Sequence, residues 1–358
     1  MPLASPALLT IVRTAETLLI ALAGGAAFTL LGLPAGLISG ALLAVAAAAL
    51  MRRPMRVPWP LARICYVVIG ILLGTIVTPE TLKGFTAWPA SIALLMVGAI
   101  AMMAATMTYL RVVHGWDKLS ALMGASPGSM AQVIALSSEL GANLRAIAIV
   151  HVMRMLLLTV GIPGGLALFG LVAPGMPLAR GAAGNTSLAE LAIVVVISSA
   201  AAVLMWRLRF PGGLLFGSMA ASAVLHGTGL VHAALPWWVA AASVIVLGAV
   251  VGARFADATP RIIFANLGAA LGSFAVSLAV ALVFAAIVAY FFPFPFANVA
   301  VAFAPGAQDT MMVLALALHL DPVYVGAHHI ARFLVVTFTV AIAARRIVRE
   351  NPAPRQTQ

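Results

Sequence analysis

Apolar residues run in long unbroken stretches along this chain, and polar residues gather in the short connections between them. Stretches of spanning length lie at 14–32, 34–51, 61–78, 88–110 and 144–172, and again at 188–206, 211–228, 237–253, 262–291 and 323–345. Their apolar positions are continuous rather than alternating, which predicts helices and not strands. Two further segments, 118–141 and 295–320, interrupt the pattern. Each carries a Pro-Gly pair and more polar side chains than its surroundings. A Gly/Pro-rich connector fills 173–187, and a short polar tail closes the chain at 347–358.

The pattern is written twice. Gly124–Ala125–Ser126–Pro127–Gly128 stands 178 positions before Ala302–Phe303–Ala304–Pro305–Gly306. At the same offset His151 meets His329, Arg154 meets Arg332, and Gly70 and Gly74 meet Gly248 and Gly252. Pro34–Ala35–Gly36 meets Pro211–Gly212–Gly213 at an offset of 177. Residues 1–172 and 188–346 therefore read as two membrane repeats. Each holds five spans and one interrupted segment.

Composition places these helices in a bilayer. The chain is 63% hydrophobic and 8% charged, with a mean hydropathy of +1.13. A soluble core cannot absorb that much apolar sequence. The net charge of +11 does not point to nucleic acid, because most of the cations sit in short connections, where they set topology. Arg52, Arg53, Arg56 and Arg63 follow the second span of the first half. In the second half Arg207 and Arg209 follow the first span, and Arg254 and Arg261 the third. Arg345, Arg346 and Arg349 close the chain. Placing these groups on one cytoplasmic side requires an odd number of crossings per half, so the halves are expected to be inverted. The interrupted segments must then dip into the membrane and return. Lys83 and Arg180 are the exceptions to this charge pattern. The expected fold is all-α and polytopic: two inverted repeats of five transmembrane helices, each with a re-entrant broken-helix hairpin, and both termini cytoplasmic. The first apolar run is expected to stay as a signal anchor, because it is the first unit of the repeat. Cys65 is the sole cysteine, which leaves no disulfide framework and no thiolate metal cluster. No cofactor and no metal is expected.

Candidate chemistry gathers at the interruptions. Pro suits the first turn of a new half-helix, and Gly allows close backbone approach. The N-terminus of such a half-helix offers unsatisfied N–H groups and partial positive charge. Ser126, Pro127, Gly128, Ser129 and Gln132 in the first half, and Pro305, Gly306, Gln308, Asp309 and Thr310 in the second, are the expected substrate-binding groups. Arg154 and Arg332 join them. Each is an intramembrane cation three residues after a histidine, on the same helix face. A charge at the bilayer centre costs roughly 2.5–3.5 kcal/mol on insertion scales, so it faces the bundle interior and takes a partner. Asp309, Glu139, a bound anion or backbone carbonyls of the neighbouring hairpin are the candidate partners. His151, His328 and His329, with Asp309, are the groups that could couple proton or cation movement, since histidine titrates near neutrality. Against this stands an ordinary buried histidine satisfied by hydrogen bonds. Glu16 and Glu190 each read as an acid near the start of the first span of a half, with Arg13 a partner for Glu16. Trp59, Trp88, Trp116, Trp206, Trp237 and Trp238 read as an aromatic belt. The Gly70/Gly74 and Gly248/Gly252 pairs read as close-packing faces.

In Gly-Ala-Ser-Pro-Gly-Ser-Met from Gly124, in Phe-Ala-Pro-Gly-Ala-Gln-Asp from Phe303 and in the paired His-x-x-Arg, the chain resembles the AbrB-type duplicated membrane protein family of bacteria. The resemblance covers nearly the whole chain. It implies a multi-pass inner-membrane protein and carries three labels: ammonia monooxygenase, regulator of gene expression, and transporter. It supplies no catalytic residues. The soluble DNA-binding regulator that shares the name is not similar to this chain. From the duplicated breaks and buried cations, the expected activity is secondary transport of a small anionic or zwitterionic solute by alternating access. A membrane regulator acting indirectly on gene expression is the second reading, and a membrane oxidase acting on ammonia the third. Expected partners are the solute and the lipid bilayer, with a homodimer as one assembly. Nucleic acid is not among them.

Overall fold

The computed structural model describes residues 6–77, 88–127, 130–172, 187–210, 212–256 and 259–350. The connector at 173–187, apart from Ser187, lies outside them, as do Lys83, Arg180, Pro211 and the last eight residues of the tail. Among the described residues there are fourteen α-helices and no strand. The first half runs α1 (Pro6–Leu30), α2 (Gly36–Leu50), α3 (Trp59–Gly74), α4 (Trp88–His114), α5 (Lys118–Ala125), α6 (Met130–Leu140) and α7 (Leu144–Leu168). The second runs α8 (Leu188–Arg207), α9 (Gly213–Gly227), α10 (Trp237–Gly252), α11 (Pro260–Phe291), α12 (Phe296–Phe303), α13 (Gln308–Ala317) and α14 (Pro322–Glu350). Every expected span is a helix, and both interrupted segments are helix-break-helix. Among the described residues seven helices are long and apolar enough to cross a membrane: α1, α4, α7, α8, α10 with its following turn, α11 and α14. The helices α2, α3 and α9 have 15, 16 and 15 residues. They are apolar but shorter than the roughly 20 residues that span a hydrocarbon layer without tilt or thinning.

Polarity is distributed inside out, as a bilayer demands. Leu19, Leu22, Val196, Leu204, Phe264 and Val283 are exposed, while Thr17, Ser39, His151, Arg154, His329 and Arg332 are buried. Polar first turns set several helix starts. Asp117 caps α5 by accepting from Ser120 N at 2.8 Å. Asp321 caps α14 by accepting from Val323 N and Tyr324 N at 2.9 and 3.0 Å. Thr259 and Pro260 open α11.

The chain forms two compact units. The first comprises Met1–Trp88, Thr159–Ala258 and Gln308–Val325; the second comprises Pro89–Leu158, Thr259–Ala307 and Gly326–Gln358. Each unit takes matching elements from both halves. The first holds α1–α3 with α8–α10, and the second holds α4 with α11 and the arginine-bearing parts of α7 and α14.

Within the first unit the halves make reciprocal contacts. Gly40 of α2 rests on the Gly24 backbone of α1, and Gly217 of α9 rests on the Ala201 backbone of α8. Gly70 of α3 lies on Leu215 and Ser218, and Gly74 on Met219 and Ser222, so α3 runs parallel to α9. In mirror fashion Gly248 of α10 lies on Ile38 and Ala41, and Gly252 on Leu42 and Val45, so α10 runs parallel to α2. A Cβ at any of these four glycines would collide with the facing helix, so each must be glycine for the helices to approach this closely. The Cys65 thiol donates to the Ser243 carbonyl at 2.9 Å, and these two residues are each other's counterparts, 178 positions apart. The small-residue faces expected from the sequence are therefore packing faces, and each joins one half to the other.

Backbone conformation repeats where residue identity does not. Ala35 (φ 51°) matches Gly212 (φ 65°), Arg52 (φ 64°) matches Gly229 (φ 73°), and Gly141 (φ 74°) matches His319 (φ 57°). Each left-handed position holds glycine in one half and a side-chain-bearing residue in the other.

Three expectations need correction. The first helix begins at Pro6, so Glu16 sits in its third turn rather than its first. Glu16 pairs with Arg53 at 2.5 Å and not with Arg13, because the loop after α2 folds back along α1. Of the tryptophans, Trp88 is buried edge-on against Tyr324, and Trp116 packs on Gly124. These two fill the interior, while Trp59, Trp206, Trp237 and Trp238 are exposed.

Candidate functional site

Proline creates both breaks. The residue before a proline is driven out of the helical region into an extended one. Ser126, before Pro127, has ψ 122° and ends α5. Ala304, before Pro305, has ψ 137° and ends α12. An extended residue at a helix end turns its carbonyl away from the helix, where no N–H four residues on can reach it. Both carbonyls are buried in apolar surroundings, where an unmet acceptor costs roughly 1–3 kcal/mol.

The two intramembrane arginines meet these carbonyls. Arg154 on α7 donates to Ser126 O at 2.8 Å. Arg332 on α14 donates to Ala304 O, and to Gly306 O at 2.6 Å. Ser126 and Ala304 are repeat counterparts, so one device is built twice. Both arginines are almost wholly buried, with 5% and 2% of their surface exposed. Burial rules out snorkelling to an interface. Glu139, one of the acids named as a candidate partner, is exposed near the end of α6, and the backbone carbonyls of the breaks take its place.

The histidines are held by the same framework. His329 Nδ1 accepts from Arg332 at 2.8 Å. Its Nε2 then carries the proton and donates to Val301 O at 3.2 Å, a tautomer assigned from the hydrogen-bond pattern. His151 Nδ1 donates to Ile147 O at 3.0 Å. His328 Nε2 bonds the Ser91 hydroxyl at 2.8 Å, and its ring tilts against Phe303. The neighbours His328 and His329 thus serve different partners, as their angular separation on a helix requires. In the second unit these contacts bring Ser126, Arg154, His151, His328, His329, Gly306 and Arg332 to the two breaks. Pro127 and Pro305 are buried there as well. Gly128, Ser129 and the Gln132 side chain lie outside the described residues.

Gln308, Asp309 and Thr310 open α13, and all three belong to the first unit. Asp309 Oδ2 accepts from the Tyr66 hydroxyl at 3.2 Å, and its Oδ1 accepts from Thr310 N at 2.9 Å. The charge of Arg254 also reaches Tyr66, and Asp309 acts on Cys65. Gln308 lies against Gly212. Sequence reasoning missed Tyr66, Arg254 and Ser91. Tyr66 sits in an unbroken apolar run with no polar counterpart in the other half, and Arg254 reads in sequence only as a loop charge.

The family described as "Transition state regulatory protein AbrB" matches residues 37–348 of this chain. The chain belongs to the AbrB family. Two family relatives are similar along much of its length. "Putative regulator AbrB" of Escherichia coli (strain K12) is 24% identical over 341 residues, covering 91% of this chain and 93% of that protein. "Uncharacterized protein YhjN" of Bacillus subtilis (strain 168) is 26% identical over 239 residues, covering 62% of this chain and 61% of that protein. The match thus spans less than two thirds of the Bacillus protein. For this AbrB-family chain, the matched region takes in both breaks and both buried arginines.

Proposed function

We propose that this AbrB-family chain is a multi-pass secondary transporter of the bacterial inner membrane, moving a small anionic or zwitterionic solute by alternating access. The single observation that carries the reading is the duplicated device in the second unit. Two proline-made breaks each present a carbonyl to a buried arginine of the same repeat, and the two pairs stand at matching positions. Carriers build mid-membrane sites from interrupted helices in this way. The solute contacts come from Ser126, Pro127, Gly128, Ser129, Gln132, Arg154, Pro305, Gly306 and Arg332. Gln308, Asp309 and Thr310, the other expected solute contacts, belong to the first unit and gather there with Tyr66. Asp309 with Tyr66, and His151 and His328 on the other unit, are the coupling candidates. His329 is the weaker one, because Arg332 occupies its acceptor nitrogen.

The repeats are 1–172 and 188–346, inverted, with five crossings each and both termini cytoplasmic. The parallel packing of α3 on α9 supports inversion. Successive spans cross in opposite senses, so α3 opposes α2. A helix parallel to α3 then also opposes α2, its own repeat counterpart. Each compact unit draws helices from both halves, with α6 and α13 the counterparts that fall in different units, and a carrier of paired repeats is built in this way. A regulatory role is favoured by the family's description and by the name of the Escherichia coli relative alone, and would follow from transport.

The test is thermal unfolding of the detergent-purified protein against small carboxylates, amino acids, inorganic anions, ammonium and metal ions. A ligand that binds only the folded state, at about 100 times its dissociation constant, adds roughly 2.7 kcal/mol. Stabilisation by an anion or zwitterion that vanishes in Arg332→Ala is the expected result. No stabilisation by any small solute would sink the carrier reading.

A further inference from the structure

We infer that Arg154 and Arg332 together form the seat of a doubly charged oxyanion, an inferred substrate class that rests on the carrier reading above. The starting point is charge balance inside the second unit. Both guanidiniums are almost fully buried, and Val336, one turn along α14 from Arg332, shares a buried cluster with Ala125 beside the Ser126 break and with Ile147 on the helix of Arg154. Two like charges in a medium of low dielectric repel strongly, and each has lost its hydration. The carbonyls of Ser126, Ala304 and Gly306 orient the guanidiniums and replace part of that hydration. They are neutral, so two positive charges remain.

None of the acids of the same unit bonds either arginine among the described residues. These acids are Asp117, Glu139 and Glu350. Asp117 caps α5, Glu139 is exposed, and Glu350 meets Lys118 at 3.4 Å. The histidines add donors and no negative charge. One donor of the pair is also left over. Arg332 Nε is buried and bonds no group among the described residues, although the other nitrogens of that guanidinium are taken up by Ala304, Gly306 and His329. A guanidinium in this setting is suited to planar oxygen acceptors, for which it offers a fork of parallel N–H groups. An oxyanion of charge −2 placed at the pair balances both cations, whereas a monoanion leaves one of them uncompensated and a zwitterion, with no net charge, leaves two. The shared chemistry is met by an inorganic oxyanion such as sulfate and by a short dicarboxylate such as succinate.

The experiment is ligand-dependent thermal stabilisation of the purified full chain at constant ionic strength and pH 8. The probes are sulfate, hydrogen phosphate and succinate against chloride, acetate and glycine. The wild-type protein is expected to prefer dianions over monoanions by at least about tenfold in dissociation constant. Sulfate acting without succinate assigns an inorganic ion, and the reverse assigns a dicarboxylate. Arg154→Gln, with one charge left, is expected to lose the dianion preference and to take monoanions as well as dianions. The Arg154→Gln/Arg332→Gln double variant is expected to bind neither. Arg332→Lys, which keeps the charge but not the fork, keeps the preference with weaker binding, and it serves where a Gln variant does not fold. Stabilisation of the wild type by monoanions or zwitterions alone overturns the dianion seat and leaves the carrier reading standing. A dianion preference that is unchanged in Arg154→Gln, or lost in a folded Arg332→Lys, places the seat elsewhere and overturns it too. No response to any probe removes both.

Discussion

At the scale of single residues, the two arginines matter because they answer a problem that proline creates. Removing one leaves buried carbonyls with no donor. Arg332→Met should therefore cost about 3 kcal/mol in chemical unfolding, from two or more unmet acceptors at roughly 1–3 kcal/mol each. Glu139→Gln should change stability by less than about 0.5 kcal/mol, as exposed substitutions do. A Glu139→Gln loss as large as that of Arg154→Gln would restore the ion pair that burial argues against. The repeat also makes a backbone prediction. Gly212, at φ 65°, faces Gln308 and Phe216 where a Cβ would stand. Gly212→Ala should cost more than about 1 kcal/mol, since L-residues in the left-handed region lose 1–2 kcal/mol before any collision. Its counterpart Ala35 already bears that strain at φ 51°, so Ala35→Gly should be neutral or slightly stabilising in the same unfolding measurement. The arginines, histidines and breaks were legible in sequence because each occurs twice at one offset. Tyr66 was not, because its partner Asp309 lies 243 positions away and neither residue has a polar repeat mate.

At the scale of elements, the helices were legible nearly to their ends, since apolar runs of this length have few alternatives in a bilayer. The start of α1 was not, because Arg13 and Glu16 break the apolar run from Leu8 and made the span read as beginning after Arg13, and that shift moved Glu16 from the first turn to the third. Glycine spacing showed which faces pack closely but not on which helix. The answer, α3 on α9 and α10 on α2, joins one half to the other, and such pairing is set by tertiary packing. Because the two interfaces are counterparts, Gly74→Ala and Gly252→Ala should destabilise by similar amounts, about 1–3 kcal/mol each for an overpacked contact. A large loss at one and none at the other would break the equivalence. The cap of α14 carries a pH signature. Burial pushes the Asp321 carboxyl above its ordinary range, while its bonds from Tyr324 N and Val323 N pull it back. A raised carboxyl holds its proton more tightly in the folded state. Its stability contribution is full below the unfolded value of about 3.9 and is lost as pH rises through the folded one. Asp321→Asn keeps the cap and cannot ionise, so it should gain on the native protein between about pH 4 and neutrality. Asp321→Ala should lose about 1 kcal/mol at any pH. Unfolding midpoints across that range check both.

At the scale of the whole molecule, the charge pattern and the packing pattern bear on the same topology from independent directions. The cations require Arg52 and Arg207 to share the cytoplasmic side. Packing puts the Arg63 guanidinium, near the start of α3, over the ring of Trp206 at the end of α8, 4.5 Å from its centroid. The start of α3 and the end of α8 therefore lie at one membrane face. Repeats of the same orientation would set them at opposite faces, because α8 is the counterpart of α1, and α1 ends where α2 begins, one crossing away from the start of α3. The proposed five crossings per half agree with both patterns. The chain is well suited to a direct test. Cys65 is its sole cysteine and is buried. Cys65→Ser keeps a donor for the Ser243 carbonyl and gives a background without thiols. On it, Arg52→Cys and Arg207→Cys should resist a membrane-impermeant maleimide in intact cells and react once the membrane is opened. His232→Cys, in the loop between α9 and α10, should react in intact cells. If Arg52→Cys and Arg207→Cys label from opposite sides, the inverted repeat falls. The two compact units would remain, each still drawing helices from both halves, but the symmetry on which the proposed alternating access rests would be gone.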